Sequence, residues 1–279
     1  MEVAKVNVDA KEHDWINVYA LGDIHEGASN HDGEALRQAV QHIAADPGYV
    51  ILMGDAIDCI INSQDPRFNP IEIAERYSIH DLKDLPRKQC QVVIDTLEPI
   101  RDMVVATLAG NHEEAYIKRH SFDVYDHFSS HFPNATKLGY VGMLRFSTEY
   151  GCVDFALNHG AGGGGMKEGY HTSKTYDVFR KYRADYHLMG HLHGLFVRPS
   201  FVRYVNAKGD GTITQKIWHG MTGCFLRSIV DGRRNYFEHR PGEESRIGMV
   251  KCSFKVARKT ESGERRAVKT LRAETIEYD

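Results

Sequence analysis

The chain has 279 residues, 42% of them apolar and 26% charged, with a formal net charge of −3. These are ordinary values for a globular protein, and the length suits one large α/β domain with a sizeable core. The charge excludes whole-protein attraction to nucleic acid, the five scattered cysteines (Cys59, Cys90, Cys152, Cys224, Cys252) exclude a disulfide frame, and no apolar run approaches the ~18–20 residues of a membrane span.

With no signal peptide at its start, the chain is expected in the cytoplasm. The first apolar run, Ile16–Leu21, reads as a buried strand and leads into Gly22-Asp23-Ile24-His25. An amphipathic helix over Gly33–Ala45 is followed by a second strand, Tyr49–Met53, and by Gly54-Asp55-Ala56-Ile57-Asp58. Residues 59–101 exceed what a crossover needs; they hold a polar loop, Asn62–Pro70, and a helix from Pro86 to Leu97 with proline in its first turn. Met103–Ala109 is a third strand before Gly110-Asn111-His112-Glu113, and Glu113–Phe132 is a helical stretch rich in aromatics and histidine. From Tyr140 the period shortens towards 2 and strands dominate to Lys255. Within that half, Cys152–Leu157 precedes Asn158-His159-Gly160, and Tyr186–Met189 precedes Gly190-His191-Leu192-His193.

Five strand tips thus carry metal-ligating side chains, and tips of successive parallel strands converge on one crevice. In an extended chain residues i and i+2 point to the same side, so Asp23 and His25 reach one ion together, as do His191 and His193. Imidazole, carboxylate and amide oxygen together suit Mn, Fe, Zn or Co better than Ca or Mg. Asp23, His25, Asp55, Asn111, His159, His191 and His193 are too many for one tetrahedral ion with an open position, and enough for two ions sharing a carboxylate.

The ordered set D-x-H, G-D-x-x-D, G-N-H-[ED], H-G and G-H-x-H is similar to that of the calcineurin-like metallophosphoesterases, over residues 16–195. The resemblance implies an α/β fold of two packed mixed β-sheets flanked by helices, in one domain over 1–279. The motif-bearing core would be followed by a strand-rich remainder (196–257) and a basic C-terminal segment (251–279). It also implies two divalent transition-metal ions, manganese foremost. Asp23, His25 and His193 would hold the first, Asn111, His159 and His191 the second, with Asp55 bridging. His112 would lie just outside them as phosphate contact and proton donor. Two such cations, about 3.5–4 Å apart, activate a bridging water for in-line attack on phosphorus, and a neighbouring imidazolium can protonate the leaving alkoxide.

The expected function is therefore a dinuclear phosphoester hydrolase, a phosphodiesterase acting on nucleic acid or nucleotides. A phosphomonoesterase or polyphosphate hydrolase is the alternative. A scaffold of the same fold without catalysis would lack ligands, whereas all seven and His112 are present. The G-D-x-x-D-R-G arginine of the family's Ser/Thr phosphatases is missing after Asp58, and Gly110-Asn111-His112-Glu113 stands where lipid-A pyrophosphatases show G-N-R-D. Both departures favour the diesterase and nuclease branches.

Other features have competing readings. His219, in Trp218-His219-Gly220, is a rival to His159, though motif order favours His159. His31, His42, His80, His120, His127, His131 and His171 read as surface or capping residues, Asp58 as a structural acceptor and Glu113 as support for the ligands. The run Gly160–Gly165 matches a dinucleotide fingerprint trivially, but Met166-Lys167-Glu168-Gly169 is a poor helix start. It reads instead as a mobile loop whose amides and Lys167 approach substrate phosphate, or as a plain surface loop. Lys251–Arg272 carries eight Lys and Arg against two Glu. That segment, with Arg265, Arg266 and Lys269 as candidate contacts, is either a track for the phosphates of DNA or RNA or a pair of solvated edge strands. Arginines interleaved with Phe225, Tyr236 and Phe237 just upstream favour the track. No membrane contact and no protein partner is expected.

Overall fold

In the computed structural model the chain folds into two six-stranded mixed sheets. The structure describes residues 1–60, 65, 67–69, 72–78, 80–120, 122–163, 169–206, 208–230, 245–261 and 264–278. The first sheet runs, in spatial order, β1 (Glu2–Asn7), β6 (Val141–Thr148), β7 (Gly151–Asn158), β8 (Tyr186–Met189), β10 (Thr212–Thr222) and β9 (Leu195–Val205). The second runs β12 (Glu264–Glu277), β11 (Gly248–Glu261), β2 (Ile16–Leu21), β3 (Tyr49–Leu52), β4 (Val104–Thr107) and β5 (Thr136–Lys137). Five helices accompany them among the described residues: α1 (Gly33–Ala45), α2 (Leu85–Leu97), α3 (Asn111–Arg119), α4 (Val124–Ser129) and α5 (Tyr170–Phe179).

The near-continuous apolar runs exist because both faces of the central strands are covered. On β2, Val18 and Ala20 pack towards the other sheet, against Phe146, Phe155 and Leu188, while Tyr19 and Leu21 pack under the helices, against Leu36, Val40 and Val93. On the far side Phe179 of α5 joins Ala156, Met189 and Met221. The layers are therefore helix, sheet, sheet, helix, as the resemblance implied. Helix α1 starts at Asp32, whose carboxylate accepts from Ala35 N at 3.0 Å, an N-cap bond that satisfies one otherwise orphaned donor.

Four details differ from the sequence expectation. The five motif-bearing strands do not belong to one sheet: β2, β3 and β4 are parallel neighbours in the second, β7 and β8 in the first. The crevice therefore lies across the ends of two packed sheets. Helix α5 interrupts the stretch read as strands, because parallel β7 and β8 need a crossover. The helical stretch after Glu113 is two helices, since His120 turns extended (φ −133°, ψ 143°) and Asp123 caps a new start through Asp126 N at 2.7 Å. Finally, the basic segment forms most of an antiparallel pair of fourteen-residue strands, β11 and β12, with β12 at the sheet edge. No helix among the described residues is long and apolar enough to cross a membrane.

Candidate metal centre

Each ligand-bearing motif begins where a strand stops. Asp23 and His25 follow β2, Asp55 follows β3, Asn111 and His112 open α3 after β4, His159 follows β7, and His191 and His193 follow β8. The pairs are not extended, which corrects the expected i, i+2 geometry. Asp23 (φ 50°), His25 (50°), Asp55 (48°), His191 (69°) and His193 (57°) all adopt the left-handed conformation. For a non-glycine residue that costs about 1–3 kcal/mol, and it persists only where surrounding structure holds it. Here the hold is a web of main-chain bonds: Asp23 N to Gly54 O (2.9 Å), His25 N to Asp55 O (3.0 Å) and Phe225 N to Asp23 O (2.9 Å). His191 N also donates to both Asp23 carboxylate oxygens, at 3.0 and 2.9 Å.

The side chains converge in overlapping groups whose donor atoms lie within 4.8 Å of one another: Asp23, His25 and His193; Asp55, His159 and His191; and His25, Asp55 and His112. His25 Nε2 is 3.2 Å from His193 Nε2 and 3.7 Å from Asp55 Oδ2, while His159 Nε2 is 3.1 Å from the same Asp55 oxygen and 3.2 Å from Asn111 Oδ1. Asp55 is thus common to a group on either side, which is where a bridging carboxylate must stand.

The tautomers follow from the outer nitrogens. His159 Nδ1 donates to the Met53 carbonyl (2.8 Å), His191 Nε2 to that of Gly162 (2.7 Å) and His112 Nδ1 to that of Asp58 (2.5 Å). A carbonyl only accepts, so each bond places a proton on that nitrogen and leaves the other to face the centre, for a metal or for a second proton. These donors suit divalent transition metals. Asp23 and Asp55 are 0% and 1% exposed, and among the described residues neither forms an ion pair with Lys or Arg. Burial works to lower the pKa of His159, but the adjacent Asp55 carboxylate, with Asp23 behind it, raises it to about 10. Without metal, an imidazolium therefore supplies the positive charge that two buried carboxylates require, at the place a cation would take.

Glycine is required at two places. A Cβ on Gly110 would lie 2.0 Å from Asp55 Oδ1, and Gly54, at φ +94°, would place one 2.7 Å from His159 Nδ1. Glu113, 2% exposed, accepts from Asp55 N (3.1 Å) and Gly110 N (2.9 Å) through Oε2, and from Ala56 N (2.7 Å) and Ile57 N (3.4 Å) through Oε1. It ties the β3 loop to the start of α3. Asp58 stands near both His112 Nδ1 (3.4 Å) and His25 Nδ1 (3.7 Å), so it serves as an acceptor and its carboxylate also faces the histidines. Burial lowers the pKa of His112, opposed by the charges of Asp55 and Asp58.

Not every candidate joins the centre. His219 lies elsewhere, its Nδ1 3.3 Å from His187 Nδ1 and its Nε2 2.8 Å from Ser200 Oγ. His31 and His171 are buried and not on the surface; the His31 ring sits between the Ile24 carbonyl (2.8 Å) and Glu26 (3.2 Å). Lys167 lies outside the described residues, as do Gly164 and Gly165 of its glycine-rich loop and the side chain of Arg265. The lysine brought to this loop is Lys174 of α5, 3.6 Å from where a Gly162 Cβ would stand. No periodicity could have revealed it. Since Val250 pairs with Ala20 beside the centre and Lys259 pairs with Arg266, Arg266 lies nine residues along the hairpin, about 30 Å away. Lys269 is partnered by buried Asp185, at 2.7 Å.

A family model, calcineurin-like phosphoesterase, matches residues 16–195. No curated protein sequence matches. Among solved structures the chain is similar to vacuolar protein sorting 29 from Cryptosporidium parvum, at 11% identity and TM-score 0.40, over 93% of this chain and 99% of that one. It is also similar to GAP50, the anchor in the inner membrane complex of Plasmodium, at 11% identity and TM-score 0.41, over 90% of this chain and 86% of that one.

Proposed function

The chain belongs to the calcineurin-like phosphoesterase family, and we propose that it hydrolyses phosphodiesters of nucleotides or nucleic acid at a dinuclear metal centre. The observation that carries this is Asp55, shared between two ligand groups, with His112 beside it. Asp23, His25 and His193 would hold one cation, Asn111, His159 and His191 the other, and Asp55 would be shared by both. Bound there, a pair of divalent cations lowers the pKa of water and neutralises charge gathering on the phosphoryl oxygens.

The protein's own part is positioning and proton transfer. His112 N donates to Asp55 Oδ1 at 2.9 Å, so the bridge and the acid are fixed to each other. With Nδ1 held by Asp58 O, His112 presents Nε2 to the leaving oxygen, and a bound phosphate anion opposes the burial that lowers the pKa of the ring. The basic hairpin supports a polyanionic substrate only if it is long. About 30 Å corresponds to roughly nine nucleotides at 3.4 Å each along one strand.

His112→Ala tests the acid. The variant should keep its metals yet lose about 10²–10⁴-fold in kcat on a diester with an alkoxide leaving group, and far less on an acidic phenol, which departs without a proton. Loss of a metal in that variant would make His112 a ligand instead, as its proximity to His25 and Asp55 allows.

A further inference from the structure

Away from the metal centre, a groove of about 440 Å³ is lined by Trp15, Asn17, Lys216, Trp218, Lys251 and Arg272, with residues of β11 and β12 completing it. That volume falls in the range of small-ligand sites, about 300–1,000 Å³. Asn17 lies six residues before Asp23, so the groove opens about 20 Å from the metals, towards the other end of the strands.

Its two walls differ. One is closed upon itself: Lys251 pairs with Asp46 (2.7 Å) and Glu274 (3.6 Å), Asn17 Nδ2 donates to Asp46 (3.1 Å), and Ser253 Oγ donates to Asn17 Oδ1 (2.8 Å). The other is left open. Lys216 lies 4.2 Å from the Trp218 ring and Arg272 4.2 Å from the Trp15 ring, and among the described residues neither forms an ion pair with a carboxylate. Two cations lining one groove without counter-ions ask for an anion. Indoles add flat apolar faces that stack planar rings whatever the base.

We propose that this groove is a second binding site, for a nucleobase–phosphate unit. Lys216 and Arg272 receive the phosphate and the indoles the base. The unit comes either from a free nucleotide or from one residue of a single-stranded polymer, and the polymer source rests on the proposed action on nucleic acid.

Trp15 and Trp218 are the only tryptophans of the chain, so its tryptophan fluorescence reports on this groove alone. Metal-loaded protein is mixed with AMP or with a single-stranded oligodeoxyadenylate, excited on the red edge where bases do not absorb, and read within seconds. Saturable quenching is expected. Lys216→Gln with Arg272→Gln should weaken it at least about tenfold, the size of one missing charge-assisted bond. Trp218→Phe, which keeps an aromatic ring but reduces its stacking face, should weaken it several-fold as read from Trp15. Tighter binding of the oligomer than of AMP assigns the site to polymer, and equal binding to free nucleotide. No quenching by either ligand up to about 1 mM, or equal quenching in parent and both variants, overturns the proposal. Turnover of a small diester, measured on the same samples, should be unchanged by these substitutions. A parent protein that binds in the groove but hydrolyses nothing would overturn the proposed catalysis and leave the second site standing.

Discussion

Replacing Glu113 by Gln tests whether one buried carboxylate assembles the centre from outside the ligand set. Both oxygens are in use: Oε2 takes Asp55 N and Gly110 N, and Oε1 takes Ala56 N and Ile57 N. A carboxylate serves four donors, whereas an amide of the same shape turns one oxygen into an NH2 group that faces two N–H donors. Whichever way it flips, two hydrogen bonds to a charged acceptor disappear. At about 1.5–3 kcal/mol each the loss is about 3–6 kcal/mol, a large share of the ~5–15 kcal/mol that holds a domain folded. At roughly 2 °C per kcal/mol for a chain of this size, the metal-free protein should melt about 6–12 °C lower. The left-handed turn at Asp55 rests on these same donors, so metal affinity should also fall, by about 10–100-fold. Calorimetry of the metal-free variant and competitive metal titration measure the two quantities. An unchanged melting temperature together with parental metal affinity would refute the role assigned to Glu113.

Three further outcomes are expected. Asp55→Asn should abolish turnover and leave fewer than two metals per chain by elemental analysis, because a neutral amide cannot hold two cations against their repulsion. Burial and the neighbouring His219 push His187 down to about 3, and burial takes His219 to about 4, so the native state binds fewer protons than the unfolded chain below the ordinary histidine value. Stability is then complete above about pH 6.5 and lost as pH falls towards 4, by about 2 kcal/mol per histidine at pH 5, and His187→Asn should reduce that loss in urea unfolding at pH 7 and 5. Arg265→Gln with Arg266→Gln, leaving Lys269 on Asp185, should flatten the salt dependence of nucleic-acid binding by about 0.7–0.9 in log–log slope for each phosphate no longer neutralised, with small-diester turnover unchanged; equal effects on both substrates would mean a damaged fold.

The sequence alone determined which side chains could be ligands. Asp23, His25, Asp55, Asn111, His159, His191 and His193 each follow an apolar run long enough only for a strand, and donor chemistry belongs to the residue itself. For the same local reason, helices α1 and α2 were legible from apolar period and a proline at the first turn. What the sequence could not decide depends on partners far along the chain. The separation of β2, β3 and β4 from β7 and β8 is a matter of pairing, and β1 and the two edge hairpins are fixed by neighbours distant in sequence. His159 prevails over His219 in space because β7 ends beside Asp55, while His219 lies within β10 against His187. The left-handed turns at five candidate ligands, the four donors gathered by Glu113 and the arrival of Lys174 beside Gly162 are likewise tertiary. Periodicity reports which face of an element is buried; it carries no information on which other element buries it, and the centre is built at that meeting.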